Sequence, residues 1–166
     1  MNTPAKSAPS KQQTANSKLS SAEVEIINKQ RLYQLAPKAI AALGQALLAR
    51  LDRNHNTVTI TFIRDRAMQQ LNRDYRNTNT PTDVLAFAYH ERMSDNEPDH
   101  NPDFLGDVII SVETAARYAH EQGISFETEI NWLVMHGLLH LAGYDHETDN
   151  GEMRRLERRL RKELLW

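Results

Sequence analysis

The 166-residue chain contains no cysteine. Disulfide bonds are therefore excluded, and any metal ion must be held by histidine, carboxylate or water rather than by thiolate. The absence also fits a reducing compartment. No apolar run approaches the ~20 residues that a helix needs to cross a bilayer, so no membrane partner is expected. The opening stretch, MNTPAKSAPSKQQTANSKLSS, has lysines but no apolar core and does not read as a secretory signal. A cytoplasmic protein is the expectation. An excess of one charge is lacking as well, since the formal net charge is −2. That balance offers no whole-chain case for binding nucleic acid, but it conceals an asymmetry. Residues 1–50 carry +5 and residues 151–166 carry +3, whereas 51–110 carry −4 and 111–150 carry −6. The ends are basic and the histidine-containing stretch is acidic.

What is present reads as one ordinary globular domain behind a polar leader. Residues 1–20 are rich in Ser, Pro, Gln, Asn, Lys and Thr, offer almost nothing to bury, and are expected to form a disordered tail. Residues 21–166 are long enough for a single core. VEIINKQ, from Val24, reads as a strand. APKAIAALGQALLARLD reads as a helix, with Pro37 near its start and Ala39, Leu43, Leu47 and Leu51 at helical spacing. TVTITFI (57–63) alternates like a half-buried strand, and DRAMQQLNRDYR reads as a helix capped by Asp65. DVLAFAY and FLGDVIIS are two further strands, separated by an exposed acidic loop, ERMSDNEPDHNPD. VETAARYAHEQG is a helix stopped at Gly123. The next helix opens at Ser125 and runs to about Ala142, with Phe126, Ile130, Leu133, Val134, Leu138 and Leu141 forming a broad apolar face. Asp149 and Glu152 make a capping-box pattern ahead of a last, basic helix. The order β-α-β-α-β-β-α-α-α predicts an α/β (α+β) domain: a small four-stranded mixed sheet flanked by about five helices.

The stretch HGLLHLAGYDH, residues 136 to 146, concentrates the chemistry. His136 and His140 are four apart on the predicted helix and project from one face. Gly143 lets the chain reverse without a Cβ penalty, so His146 can return to the same point. Three neutral imidazoles around Zn²⁺ leave a position for water, the open geometry of a catalytic site. Zinc is the first choice for such a donor set, and nickel or cobalt would accept the same ligands. The spacing is also that of the metzincin motif H-E-x-x-H-x-x-G-x-x-H, but Gly137 stands where those proteases carry their general base. His55, His90, His100 and His120 have no ligand-type partners in any motif and are expected to be ordinary surface or core residues.

Together with LNRDYRNTNTPTDVLAF and GDVIIS upstream, HGLLHLAGYDH resembles the YbeY family of bacterial ribosomal-RNA maturation factors. The resemblance spans roughly residues 21–166 and leaves out the polar tail. It implies a cytoplasmic, zinc-dependent, single-strand-specific endoribonuclease. The implied roles are maturation of the 16S rRNA 3′ end and late-stage 70S ribosome quality control, with the small ribosomal subunit and its proteins as partners. It carries the metal ligands onto His136, His140 and His146, and the arginine implicated in RNA cleavage onto Arg76.

These residues suit a phosphodiester, because a metal cation and a guanidinium can share the negative charge that gathers on the non-bridging oxygens. The nucleophile stays open between a metal-activated water and the RNA 2′-hydroxyl. From its spacing alone Arg76 reads as an exposed helix arginine with a solvated head, and only the resemblance lifts it above that. Asp145 is either an acceptor behind His146, a proton shuttle, or a turn aspartate. Asp83 and Asp107 read as caps or strand-end residues. The final helix, with Leu156, Leu160 and Leu164 at spacing four, reads as a docked amphipathic helix whose basic face is solvated or contacts RNA phosphates. Two further functions remain in view: a non-catalytic assembly factor with a structural zinc, and a metalloprotease, which Gly137 argues against.

Overall fold

The computed structural model describes residues 21–91 and 101–165; the expected polar tail and most of the acidic loop lie outside them. Four strands form one sheet: β1 (Glu23–Asn28), β2 (Thr57–Ile63), β3 (Val84–Ala88) and β4 (Phe104–Ser111), in the order β1-β2-β4-β3. β1 and β4 run parallel to β2, whereas β3 pairs antiparallel with β4 at the edge. Five α-helices accompany them among the described residues: α1 (Pro37–Arg50), α2 (Asp65–Arg76), α3 (Val112–Gln122), α4 (Phe126–Leu141) and α5 (Glu152–Leu165). The α/β class, the mixed four-stranded sheet and the element order are those expected from the sequence. A 3₁₀ turn at Tyr89–Glu91 is an addition.

Strand alternation sorts the side chains onto two unequal faces. Val58, Ile60 and Phe62 of β2 and Val108 and Ile110 of β4 point to the larger core, under α1 and α4. Leu85 of β3 and Ile63 point the other way and, with Met68 of α2, make a small second cluster. β1 brings Val24 to the large face, while Thr59 and Glu25 face outward on the other. α5 packs outside α4 and α1 through Met153 and Leu160, and Arg50 of α1 donates to Glu163 of α5 at 2.5 Å.

Two local expectations need correction. In α1 the buried stripe is Ile40, Leu43, Gly44, Leu47 and Leu48, and Ala39 is exposed, because packing on β1 and α4 selects the neighbouring edge of the helix. Asp65 does not cap α2. It is the first helical residue, and its own backbone N–H donates to Glu113 Oε2 of α3 at 2.9 Å, so the cap comes from another element. The Asp65 carboxylate instead accepts from Ser111 Oγ (2.6 Å), Thr114 Oγ1 (2.7 Å) and Arg117 (2.7 Å). Asp149 does cap the last helix, accepting from Met153 N–H at 2.6 Å.

Candidate active site

α4 positions the histidines. Ser125 caps its start by accepting from Thr128 N–H at 3.0 Å. Its end is a Schellman turn: Gly143, at φ +97°, donates to His140 C=O, and Tyr144 donates to Leu139 C=O. That turn brings His146 back beside the helix. The imidazole centroids of His136, His140 and His146 lie 4.7, 5.3 and 5.5 Å apart, and their candidate ligand atoms fall within 4.8 Å of one another. His136 Nε2 and His140 Nε2 are 3.1 Å apart, close to the ~3.3 Å that two nitrogens at ~2.0 Å take around a tetrahedral ion. The donor set therefore fits a divalent cation of the zinc type. Burial, then the two neighbouring histidines, push the His140 pKa below its ordinary value against the pull of Asp145. A neutral imidazole is the form a metal requires. Among the described residues this triad is the one cluster of three or more metal-ligating side chains. His55, His90 and His120 are exposed and stand apart from it, as expected, while His100 lies outside the described residues.

Gly137 explains its own place. A Cβ built there would lie 2.5 Å from Val108 Cγ1 and 3.0 Å from Cγ2. The side chain at this position faces β4 rather than open space, and only glycine lets α4 approach the sheet so closely. A glutamate cannot occupy it in this packing.

The triad opens on a cavity of about 630 Å³. Arg76, the last residue of α2, lines the same cavity. It is exposed and has no ion-pair partner among the described residues. Tyr75 packs edge-on against Phe87 of β3 at 5.0 Å, and Asn72 Nδ2 donates to Thr80 C=O at 2.8 Å, which fixes the turn beside Arg76. The structure thus brings together all four residues singled out from the sequence. Asp83 also lines the cavity, but one of its oxygens accepts from Val84 N–H and Thr82 Oγ1, as a strand-end residue does. Asp145 behaves as a turn aspartate: it accepts from Glu147 N–H at 3.0 Å and Thr148 Oγ1 at 3.1 Å. Asp107 sits within β4, paired with Phe87.

Sequence reasoning missed the contribution of the last helix. Glu157 Oε1 stands 3.6 Å from His136 Nδ1 and accepts from Arg161 at 2.6 Å. Burial pushes the Glu157 carboxyl up, but the contacts with His136 and Arg161 outweigh it and hold the pKa below the ordinary value. The carboxylate sits on the Nδ1 side of His136, leaving Nε2 to face its neighbours. Arg161 in turn lies over Trp132, 4.1 Å from the ring centroid. The Glu157–Arg161 spacing of four was visible, but nothing in the sequence joined it to α4.

The sequence pattern of the family described as Endoribonuclease YbeY matches residues 17–165. The chain is 37% identical to the Endoribonuclease YbeY of Geobacter sulfurreducens over 141 residues, covering 84% of this chain and 92% of that one. It is 44% identical to that of Heliobacterium modesticaldum over 136 residues, or 78% of each chain. The solution structure of TM1509 from Thermotoga maritima superposes with a TM-score of 0.58 at 25% identity, covering 85% of this chain and 88% of that one. With the family pattern spanning nearly the whole chain and curated relatives above 30% identity, this chain belongs to the endoribonuclease YbeY family.

Proposed function

We propose that the protein is a metal-dependent, single-strand-specific endoribonuclease that processes ribosomal RNA, with residues 21–166 as its catalytic domain. The finer reading is zinc dependence, action on the 16S rRNA 3′ end and in late-stage 70S quality control, and a cytoplasmic setting with the small subunit as partner. The observation that carries it is the meeting of the three histidines and Arg76, without an ion-pair partner among the described residues, in one cavity of a chain of this family.

His136, His140 and His146 would hold the ion, zinc first and nickel or cobalt as substitutes. When bound there it supplies Lewis-acid polarisation of a phosphoryl oxygen and of water. Arg76 presents free guanidinium donors to the non-bridging oxygens and stabilises charge that develops on them. Glu157 keeps the His136 ring oriented. A protease reading is disfavoured by Gly137, whose side-chain direction runs into Val108 rather than toward substrate.

The test is cleavage of single-stranded rRNA fragments, with casein in parallel, by zinc-loaded wild type and by His140→Ala and Arg76→Ala. The expected result is RNA cleavage that chelation and both substitutions abolish, with casein untouched. RNA cleavage unchanged in both variants sinks the assignment. Loss of cleavage in all forms, with tight ribosome binding retained, replaces it with the assembly-factor role.

A further inference from the structure

The mechanism above leaves one buried charge unused. Glu129 is 4% exposed, lines the same cavity as the triad, and accepts no hydrogen bond among the described residues. The residue is buried while its carboxylate oxygens still open on the cavity, a placement that favours a ligand bringing hydrogen-bond donors. Burial, then the charge of Asp83, push its carboxyl up against the opposing pull of Arg161. Arg161 is itself committed to Glu157. A ligand that brings paired donors into the cavity would therefore replace water at Glu129.

Its position on the helix says what that is. Glu129, Trp132, His136 and His140 follow one another at spacings of three, four and four, which makes a single ridge of α4, and all four line the cavity. Glu129 lies about 10 Å along the helix axis from His136, at 1.5 Å per residue. That is beyond the phosphate held at the histidines and within reach of a neighbouring nucleotide. Trp132 lies between, half-buried, with Arg161 stacked on it, and aromatic and guanidinium planes are where single-stranded bases stack.

We propose that Glu129 and Trp132 form a base-selecting subsite that favours guanine in the nucleotide next to the cleaved phosphodiester. This rests on the ribonuclease reading given above. Guanine is selected by its Watson–Crick edge, where N1–H and the N2 amine are adjacent donors that match the two oxygens of one carboxylate. Adenine and cytosine set a ring-nitrogen acceptor beside their amine, and uracil flanks its single N–H with two carbonyls. Each of those edges turns an acceptor toward Glu129.

Two measurements on the zinc-loaded full chain decide the matter. In calorimetric titrations guanosine 5′-monophosphate is expected to bind about tenfold more tightly than uridine 5′-monophosphate, with inosine 5′-monophosphate, which lacks the N2 amine, in between. The isosteric Glu129→Gln should reduce the guanine advantage to less than about twofold. Cleavage mapping on RNA of mixed sequence should show cuts at a constant offset from guanine in wild type, and no such offset in Glu129→Gln. Equal binding of the guanosine and uridine nucleotides by wild type overturns the subsite, and needs no variant to fold. So does an unchanged guanine advantage in Glu129→Gln. A guanine preference in binding without any cleavage by wild type upholds the subsite and strikes down the ribonuclease reading. Cleavage with no base preference does the reverse.

Discussion

The two walls of the cavity carry their functional groups on helices of opposite character. α4, which carries His136 and His140 and leads into the turn that returns His146, has nine of its sixteen residues buried; α2, which ends at Arg76, has two of twelve. The histidine wall is part of the main core, pressed against β4 until Gly137 and Val108 meet. The arginine wall rests on a small apolar cluster and on hydrogen bonds: Asp65 to α3 and β4, Asn72 to the following loop, Tyr75 edge-on to Phe87. The difference follows from what each wall must do. Three ligands around one ion tolerate only tenths of an ångström of error, and close packing supplies that constraint. One guanidinium reaching an anion from the rim needs a fixed helix end and a free head.

The sharpest way to break the comparison is to press on the packed wall. Gly137→Glu restores the missing protease glutamate in sequence, but it forces a charged side chain into Val108. It should cost at least about 4 kcal/mol, or prevent folding, and it should not create proteolysis. Gly137→Ala is the graded form. Overpacking of about 1–3 kcal/mol is expected, partly masked by the ~1 kcal/mol that alanine gains over glycine in a helix. Val108→Ala removes the two methyl groups that the new Cβ would meet, so the double variant should be more stable than the sum of the single effects by about 1 kcal/mol. Urea unfolding measures all three. Additive effects would show that α4 can move off the sheet, and the contrast between the walls would lose its basis.

The other wall should respond in the opposite sense. Arg76→Ala is expected to slow RNA cleavage about a hundredfold, as the loss of one charge-stabilising donor does. The unfolding free energy should stay within about 0.5 kcal/mol of wild type, since the side chain is exposed and has no ion-pair partner among the described residues. Bound metal should be unaltered by elemental analysis. Activity within about fivefold of wild type would remove Arg76 from the chemistry.

These two walls were also unequally legible. The histidine triad is local: a spacing of four on a helix, then a glycine turn, brings three imidazoles together within eleven residues, and no distant contact is needed to see it. Arg76 is sixty residues upstream, and its spacing alone reads as a solvated helix arginine; only the resemblance to a family marked it. The sheet and helix order followed from periodicity, because one-sided burial imprints a period of two or 3.6 on any amphipathic element. What escaped was contact between elements. Glu157 looked like part of a charged helix face, yet its carboxylate stands behind His136. Glu129 is one of two acidic residues in the first turn of α4, where a carboxylate complements the helix dipole, and nothing in its spacing set it apart. Its burial in the cavity depends on β3, α4 and α5 assembling around it. Gly137 was visible as a missing glutamate, while the reason for it, the approach of Val108, is written in the register of β4.

Asp65 yields the smallest effect and the most direct view of how the arginine wall is held. Burial pushes its carboxyl up, but hydrogen bonds from Ser111, Thr114 and Arg117, with the Arg117 charge, outweigh that and leave the pKa below the ordinary 3.8. The folded protein therefore binds this proton less readily than the unfolded chain. The stabilisation is present above the unfolded value, and it is lost as the pH falls through the folded one. Asp65→Asn retains one oxygen but sets an amide toward Arg117, and should cost about 1 kcal/mol near neutrality, a modest figure because Arg117 is half exposed. The difference in unfolding free energy between wild type and variant should be constant above about pH 5 and shrink below pH 4. Taking the difference cancels the histidines, which titrate in both proteins. A gap that instead grows on acidification would mean that Asp65 is protonated more easily when folded, and that its three donors do not hold the start of α2 against α3.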